Sequence, residues 1–309
     1  MSLEILTIKG SVVISKLAIV GGTHGNEFTG IYLVKKWEKQ VALIQRSSFE
    51  TEMLFANPNA FTQNKRYVDH DLNRCFEQSQ LEDARLVSTE QVRAKEINQL
   101  LGPKGKPRVD FIIDLHTTTS NMGPTLLITK KGDFYNKLAA YITMKMPQVI
   151  VSCDEDHKDN SEHHFLSSIA QDSVMVEVGP VPQSVIRQDV YDASEEMTFH
   201  ILDFVELYNL NDVPKLPETV TAYRFMESIT LPLTEDGQRN GMIHKDIQDK
   251  DFTEIKPGQP LFRTFDDEVI CYQGEKSVYA SFINEAAYYD NNLAMSLLEK
   301  ITLTTYSEL

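Results

Sequence analysis

Cysteine is scarce here: Cys75, Cys153 and Cys271 are the only three in 309 residues, and no two form a CxxC pair. So few and so scattered, they argue against a disulfide framework and for a reducing compartment. Basic residues are also short, with 30 Lys and Arg against 45 Asp and Glu and a net charge of −15. Without a basic block to neutralise phosphates, a nucleic-acid partner is not expected. A small anionic substrate stays compatible, because a few local arginines can override the global field. No apolar run approaches the roughly 18 residues that a membrane span needs. The first residues lack the charged segment and apolar core of a signal peptide. Internal repeats and low-complexity tracts are not evident. The expectation is a cytoplasmic protein that engages neither membrane nor nucleic acid.

What is present has ordinary globular proportions, 41% hydrophobic and 24% charged. The length suggests one large domain plus a smaller one, or two domains. Residues 1–16 read as an extended lead-in. Leu17–Val20 is a short apolar run stopped by Gly21-Gly22, which predicts a buried strand. Phe28, Ile31, Val34 and Trp37 then recur near helical spacing, which predicts a helix from Glu27 to about Lys39. Between them, Gly21-Gly22-Thr23-His24-Gly25-Asn26-Glu27 places a His and a Glu at a strand's carboxyl end, where open α/β sheets put their sites. A turn with a polar His on it is the plainer alternative.

Further on, 51–56 reads as a strand and 82–101 as a charged amphipathic helix. Residues 109–116 are the next clear strand, with His116 at its end and Asp114 two residues before it. His24, Glu27 and His116 make a His₂Glu set, the third ligand following the second by 116 − 27 = 89 residues. Three N/O ligands leave a fourth tetrahedral position, the arrangement of a catalytic zinc. Asp114 shares a strand face with His116 and could orient it or a neighbouring site group, or could equally be a helix cap. Lys65–Arg74 is dense in groups suited to anions, though a solvated loop has the same look. The polar stretch 154–164 reads either as a substrate-covering loop or as a solvated connection. Glu177 is an acid inside the apolar strand 174–180, so it either titrates upward or faces a charge. Such a carboxyl suits a general base that later acts as an acid. A helix over 194–208 and a turn-rich stretch at 209–217 end the first domain, 1–210. The second, 211–309, reads as β-rich, with a closing helix from about Asn291 to Lys300.

Together the motifs Gly-Gly-Thr-His-Gly-Asn-Glu, Asp-Leu-Asn-Arg, Asp-Leu-His-Thr-Thr-Thr-Ser-Asn-Met-Gly, Val-Glu-Val-Gly-Pro and Asn-Glu-Ala-Ala-Tyr-Tyr, in this order between residues 17 and 289, resemble the aspartoacylase and succinylglutamate desuccinylase family. The resemblance implies an α/β, zinc-carboxypeptidase-like mixed sheet flanked by helices, plus a smaller β-rich C-terminal domain. It implies one zinc per subunit, held by His24, Glu27 and His116, with Glu177 as base and Arg66 polarising the acyl carbonyl. Asn73, Arg74 and Tyr288 would grip the α-carboxylate. The implied reaction is hydrolysis of an N-acyl amino acid, with N-acetyl-L-aspartate giving acetate and L-aspartate as the expected case. Neutral or aromatic N-acetyl amino acids and N-succinyl amino acids are alternatives on the same chemistry. Self-association into a homo-oligomer is a further expectation of the resemblance.

The sequence departs from the pattern of members selective for N-acetylaspartate. Ser167 stands where they have an Arg ten residues before the base, and His163 where they have a Tyr fourteen before it. Asn291-Asn292 replaces a basic residue expected after the tyrosine pair. Losing an ion-pair partner from a buried anion site costs about 3–5 kcal/mol. Either His163, His164 or Lys158 substitutes in binding the second carboxylate, or the substrate is not N-acetylaspartate. A non-catalytic metal- or ligand-binding protein is the reading from another class, disfavoured because ligands, base and Arg66 are all present.

Overall fold

The structure, a computed structural model, describes residues 13–154 and 157–306. Residues 1–12 of the expected lead-in, and Glu155 and Asp156 of the polar loop, lie outside the described residues. The chain begins with β1 (Lys16–Gly21), α1 (Phe28–Lys39), β2 (Glu50–Phe55) and α2 (Pro58–Thr62). It continues with α3 (Gln78–Glu82), α4 (Thr89–Leu101), β3 (Phe111–Thr117), β4 (Gly123–Ile128), α5 (Asp133–Lys145), β5 (Ile150–Cys153), β6 (Asp172–Gly179) and α6 (Gln188–Asn209). The C-terminal part is β7 (Thr219–Thr230), β8 (Gly241–Ile243), β9 (Glu254–Ile255), β10 (Pro260–Thr264), β11 (Val269–Cys271), β12 (Val278–Ser281) and β13 (Leu293–Thr304).

Ten strands form one mixed sheet in the order β2-β1-β3-β6-β4-β5-β7-β13-β12-β9. The left half is parallel from β2 to β6, and β4 runs antiparallel to β6. Its faces are covered on both sides, as a parallel sheet requires. Leu17 and Ile19 of β1 pack into one core with Leu33 and Trp37 of α1 and with residues of α5 and α6. Ala18 and Val20 point the other way, into a second core with Leu72 and with Ala94 and Ile97 of α4. This is the period-two alternation of a strand, read out by two different sets of helices. Each fully buried Leu or Ile contributes roughly 1.5–3 kcal/mol of transfer free energy, so the central strands carry much of the molecule's hydrophobic stabilisation.

Several expectations are corrected. The helix expected over 82–101 is shorter: α3 ends at Glu82, and α4 starts only at Thr89, where the Ser88 N–H donates to Gln91 Oε1 at 3.1 Å. The helix expected from Ser194 begins earlier, at Gln188. The closing helix expected at 291–300 is a strand. Asn292 turns left-handed (φ 53°) to end a 3-10 turn, Ala286–Asn291, and β13 then pairs with β7 from Leu293↔Thr230 to Thr304↔Thr219. Its Leu, Ala, Met, Glu and Lys favour helices individually, but cross-strand pairing and burial decide the outcome. The stretch after Asn209 is irregular, yet the sheet continues across it, since β7 pairs with β5 (Ser152↔Tyr223). Among the described residues, no helix is long and apolar enough to cross a membrane.

Candidate active site

The turn after β1 is shaped by its glycines. Gly22 sits at φ +72°, and a Cβ on Gly25 would lie 2.3 Å from the Ala60 carbonyl carbon. This tight turn folds His24 and Glu27 against the end of β3, where His116 lies. His24 Nδ1 is 2.6 Å from Glu27 Oε1, and His116 Nδ1 is 3.1 Å from Glu27 Oε2. Donor atoms of the three residues, one from each, lie within 4.8 Å of one another, and all three side chains are buried. Their outward ring nitrogens each meet a carboxylate. His24 Nε2 is 3.0 Å from Asp71 Oδ1, and His116 Nε2 is 3.0 Å from Asp114 Oδ2. Thr23 Oγ1 in turn donates to Asp114 Oδ1 at 2.8 Å. A His backed by a carboxylate on its outer nitrogen is the usual arrangement of a metal ligand.

Two further observations fit a cation at this point. His24 Nδ1 is buried without an aligned hydrogen bond, despite lying 2.6 Å from Glu27 Oε1. Burial works against the charge of Glu27, but His24 and His116 hold its carboxyl well below the usual range. A His₂Glu donor set of this kind suits zinc.

Glu177 reaches the same place through sheet register. It is the Cα partner of His116 on β3 and of Thr125 on β4, so the expected base stands beside an expected ligand. Burial pushes its carboxyl up to about 8, with His116 pulling it down and Glu27 and Glu285 pushing it further up. The acid in an apolar strand does titrate upward, one of the two outcomes its position allowed.

Arg66 bridges the acids from the other side. Its Nη1 donates to Glu27 Oε1 at 2.9 Å, and its Nη2 to Asp71 Oδ2 at 3.2 Å. Burial opposes its charge, and Asp71 and Glu27 more than offset that. Asn73 Oδ1 accepts from the Leu166 N–H at 2.8 Å, and Arg74 lies 5.3 Å over the Phe165 ring. Tyr288 is reached from the 3-10 turn before β13, and burial raises its hydroxyl well above the ordinary value, so it stays a donor. All of these line one cavity of about 60 Å³ with His24, Glu27, His116 and Glu177. It adjoins an outer cleft of about 710 Å³, with Arg74, Asp154, Phe165, Phe282, Ala287 and Tyr288 common to both walls.

His163 does not join this set, against expectation. It lines neither cavity and is 1% exposed. The Lys104 ammonium binds its carbonyl at 2.5 Å, and its ring stacks at 6.0 Å on Phe165, which faces the cavity instead. Ser167 and Lys158 line neither cavity, while His164 and Asn291 line the outer cleft. Asn292 accepts from Arg239 at 2.8 Å.

Two acids took no role in the sequence reading. Asp71 lay in the anion-suited segment five residues from Arg66, but nothing local tied it to His24. Glu285 lay in the Asn-Glu-Ala-Ala-Tyr-Tyr motif. Its Oε2 accepts the Thr119 N–H at 2.7 Å, the Ser120 N–H at 3.2 Å and the hydroxyls of Thr118, Thr119 and Ser120. It thereby ties the loop after His116 to the C-terminal part. The His24–Asp71 and Thr118–Glu285 contacts span 47 and 167 residues, so only the motifs themselves hinted at them.

Residues 13–205 match the family described as Succinylglutamate desuccinylase/Aspartoacylase catalytic domain, and residues 218–300 match the AstE/AspA barrel-sandwich hybrid domain. The chain is 44% identical over 288 residues to a probable aspartoacylase of Trichodesmium erythraeum, covering 93% of this chain and 97% of that one. It is 40% identical over 294 residues to the human N-acyl-aromatic-L-amino acid amidohydrolase (carboxylate-forming), covering 94% and 92%. The crystal structure of murine aminoacylase 3 superposes with a TM-score of 0.90 at 36% identity, over 97% of this chain and 100% of that one.

Proposed function

Since this chain belongs to the succinylglutamate desuccinylase/aspartoacylase family, whose members among its relatives hydrolyse N-acyl amino acids, we propose that it is a zinc-dependent amidohydrolase preferring N-acetyl amino acids with uncharged side chains, aromatic ones included. His24, Glu27 and His116 would hold the zinc, which when bound acidifies a water and polarises the acyl carbonyl. Glu177 takes a proton from the attacking water and delivers it to the leaving amine nitrogen; the second water proton follows, so that one water and one amide become a carboxylate and an ammonium. Arg66 donates to the carbonyl oxygen as negative charge develops there. Asn73, Arg74 and Tyr288 orient the substrate by its α-carboxylate, with the two nitrogens of Arg74 suited to paired hydrogen bonds. Phe165, Phe282, Leu127 and Met175 line the cavity and keep water from the reacting bond.

The side-chain preference rests on one observation. Arg66 and Arg74 are the only Lys or Arg among the described residues lining the two cavities, and each already has a task. The walls carry Asp69, Asp154 and Asp290 instead. A second carboxylate would be buried there without a partner, whereas an aromatic side chain gains contact with Phe165, Phe225 and Phe282. One observation favours N-acetyl-L-aspartate: the imidazoles of His70 and His164 also line the outer cleft. The test is kcat/KM of zinc-loaded protein on N-acetyl-L-phenylalanine and N-acetyl-L-methionine against N-acetyl-L-aspartate. The proposal expects the neutral substrates to lead by about tenfold or more, the worth of one lost charged hydrogen bond. A lead for the aspartate substrate overturns it and directs attention to His70 and His164.

A further inference from the structure

The loop from Arg66 to Arg74 carries Arg66, Asp71, Asn73 and Arg74, yet its regular structure is a single 3-10 turn, Leu72–Arg74. What fixes it lies outside the site. Glu90, in the first turn of α4, is 0% exposed and takes no part in the chemistry above. Its carboxylate accepts three successive backbone N–H groups of the loop. Val68 donates to Oε1 at 2.7 Å, and Asp69 and His70 donate to Oε2 at 2.9 and 3.1 Å. Asn57 Nδ2, from the neighbouring helix cap, adds a fourth bond to Oε1 at 3.2 Å. The loop answers in kind: Asp69 Oδ2 accepts the Thr89 N–H at 2.8 Å, at the start of α4. Among the described residues no Lys or Arg forms a salt bridge with Glu90, so its charge is met by backbone and amide dipoles.

We infer that Glu90 is the positioning residue of the substrate-gripping loop, setting through these three amides where Arg66, Asp71, Asn73 and Arg74 stand. The inference rests on the function proposed above for what the loop grips. The chemistry is specific to a carboxylate. Only an ionised acid offers two acceptor oxygens and no donor to four converging N–H groups. Its charge also makes those bonds stronger than neutral ones. In Glu90→Gln one oxygen becomes an NH₂ that faces one pair of donors, and the loop must move to relieve it.

The experiment uses the full-length zinc-loaded protein, native, Glu90→Gln and Glu90→Asp, the last keeping both oxygens on a shorter stem. Amide exchange by mass spectrometry is read over 64–75 and over the rest of the chain, with kcat/KM on N-acetyl-L-phenylalanine and zinc affinity beside it. The expected result for Glu90→Gln is faster exchange confined to 64–75 and a kcat/KM lower by about tenfold or more per folded molecule, as for loss of a charged hydrogen bond. Glu90→Asp should fall between that variant and the native protein, and it carries the test if Glu90→Gln does not fold. A purely structural role would lower the melting temperature but leave kcat/KM of the folded fraction within about twofold of native, below the effect of one such bond; that result overturns the inference. If the native protein does not turn over this substrate, the functional proposal fails by itself. Zinc affinity, which the proposed function ties to Asp71 within the same loop, then decides, and an unchanged value in Glu90→Gln overturns the inference.

Discussion

Replacing Asp71 by Asn probes a contact that only the folded chain reveals. The Asp71 carboxylate holds three groups at once. Oδ1 is 3.0 Å from His24 Nε2 and accepts the Asn73 N–H at 2.8 Å, and Oδ2 accepts from Arg66 Nη2 and Nε at 3.2 and 3.3 Å. Asn keeps the shape and removes the charge. His24 then loses the partner that makes its other nitrogen a better ligand, and Arg66 keeps only Glu27. Removing such a carboxylate behind a ligating His lowers metal affinity by about 10–100-fold, which is about 1.4–2.7 kcal/mol. Competition for zinc against a chelator of known affinity measures this without any turnover. A second effect remains when zinc is saturating. Arg66, held by one acid instead of two, is less well fixed over the carbonyl, and kcat/KM should fall by about tenfold or more. Zinc affinity within about twofold of native in Asp71→Asn, well short of the usual loss, would refute the reasoning that Asp71 supports His24.

Glu177→Gln should bind zinc as the native protein does and lose about 10²–10⁴-fold in kcat, the usual worth of a general acid–base group; equilibrium zinc binding and initial rates check it, and normal turnover removes Glu177 from that role. The same variant should change how stability depends on pH in zinc-stripped protein. Glu177 is held up to about 8 in the fold against an ordinary 4.5, so between those values the folded state binds more protons than the unfolded chain. Stability therefore falls as pH rises through that window and levels off above about 8. Urea midpoints of native and Glu177→Gln, compared across the window, isolate this share: the gap should widen in favour of the variant toward higher pH.

The clustering of His24, Glu27 and His116 was legible because they stand where short apolar runs end, and strand ends are where such sheets place chemistry. Glu177 was legible for the opposite reason, as an acid among Val and Met with no local explanation. The groups that support them were not. Asp71, Glu90 and Glu285 act across 47, 20 and 167 residues, on His24, His70 and Thr118. A polar residue in a loop or in the first turn of a helix carries no local mark of such a partner. His163 misled because its place was counted along the chain from Glu177. In the fold, Lys104 from another loop draws that stretch inward by the carbonyls of Phe76 and His163 and the hydroxyl of Ser168. Phe165 is thereby left to face the cavity. The error at 291–300 is of the same kind, since the helix-forming residues of β13 give no sign of the long partner waiting in β7.

The most direct test of the account is zinc add-back. The protein is stripped with a chelator and titrated with zinc, and acetate release from N-acetyl-L-phenylalanine is followed together with bound metal. The account predicts no turnover in the stripped protein, full recovery at one zinc per chain, and loss of both binding and recovery in His116→Ala. Full turnover without metal, or an unaltered titration in His116→Ala, would contradict it.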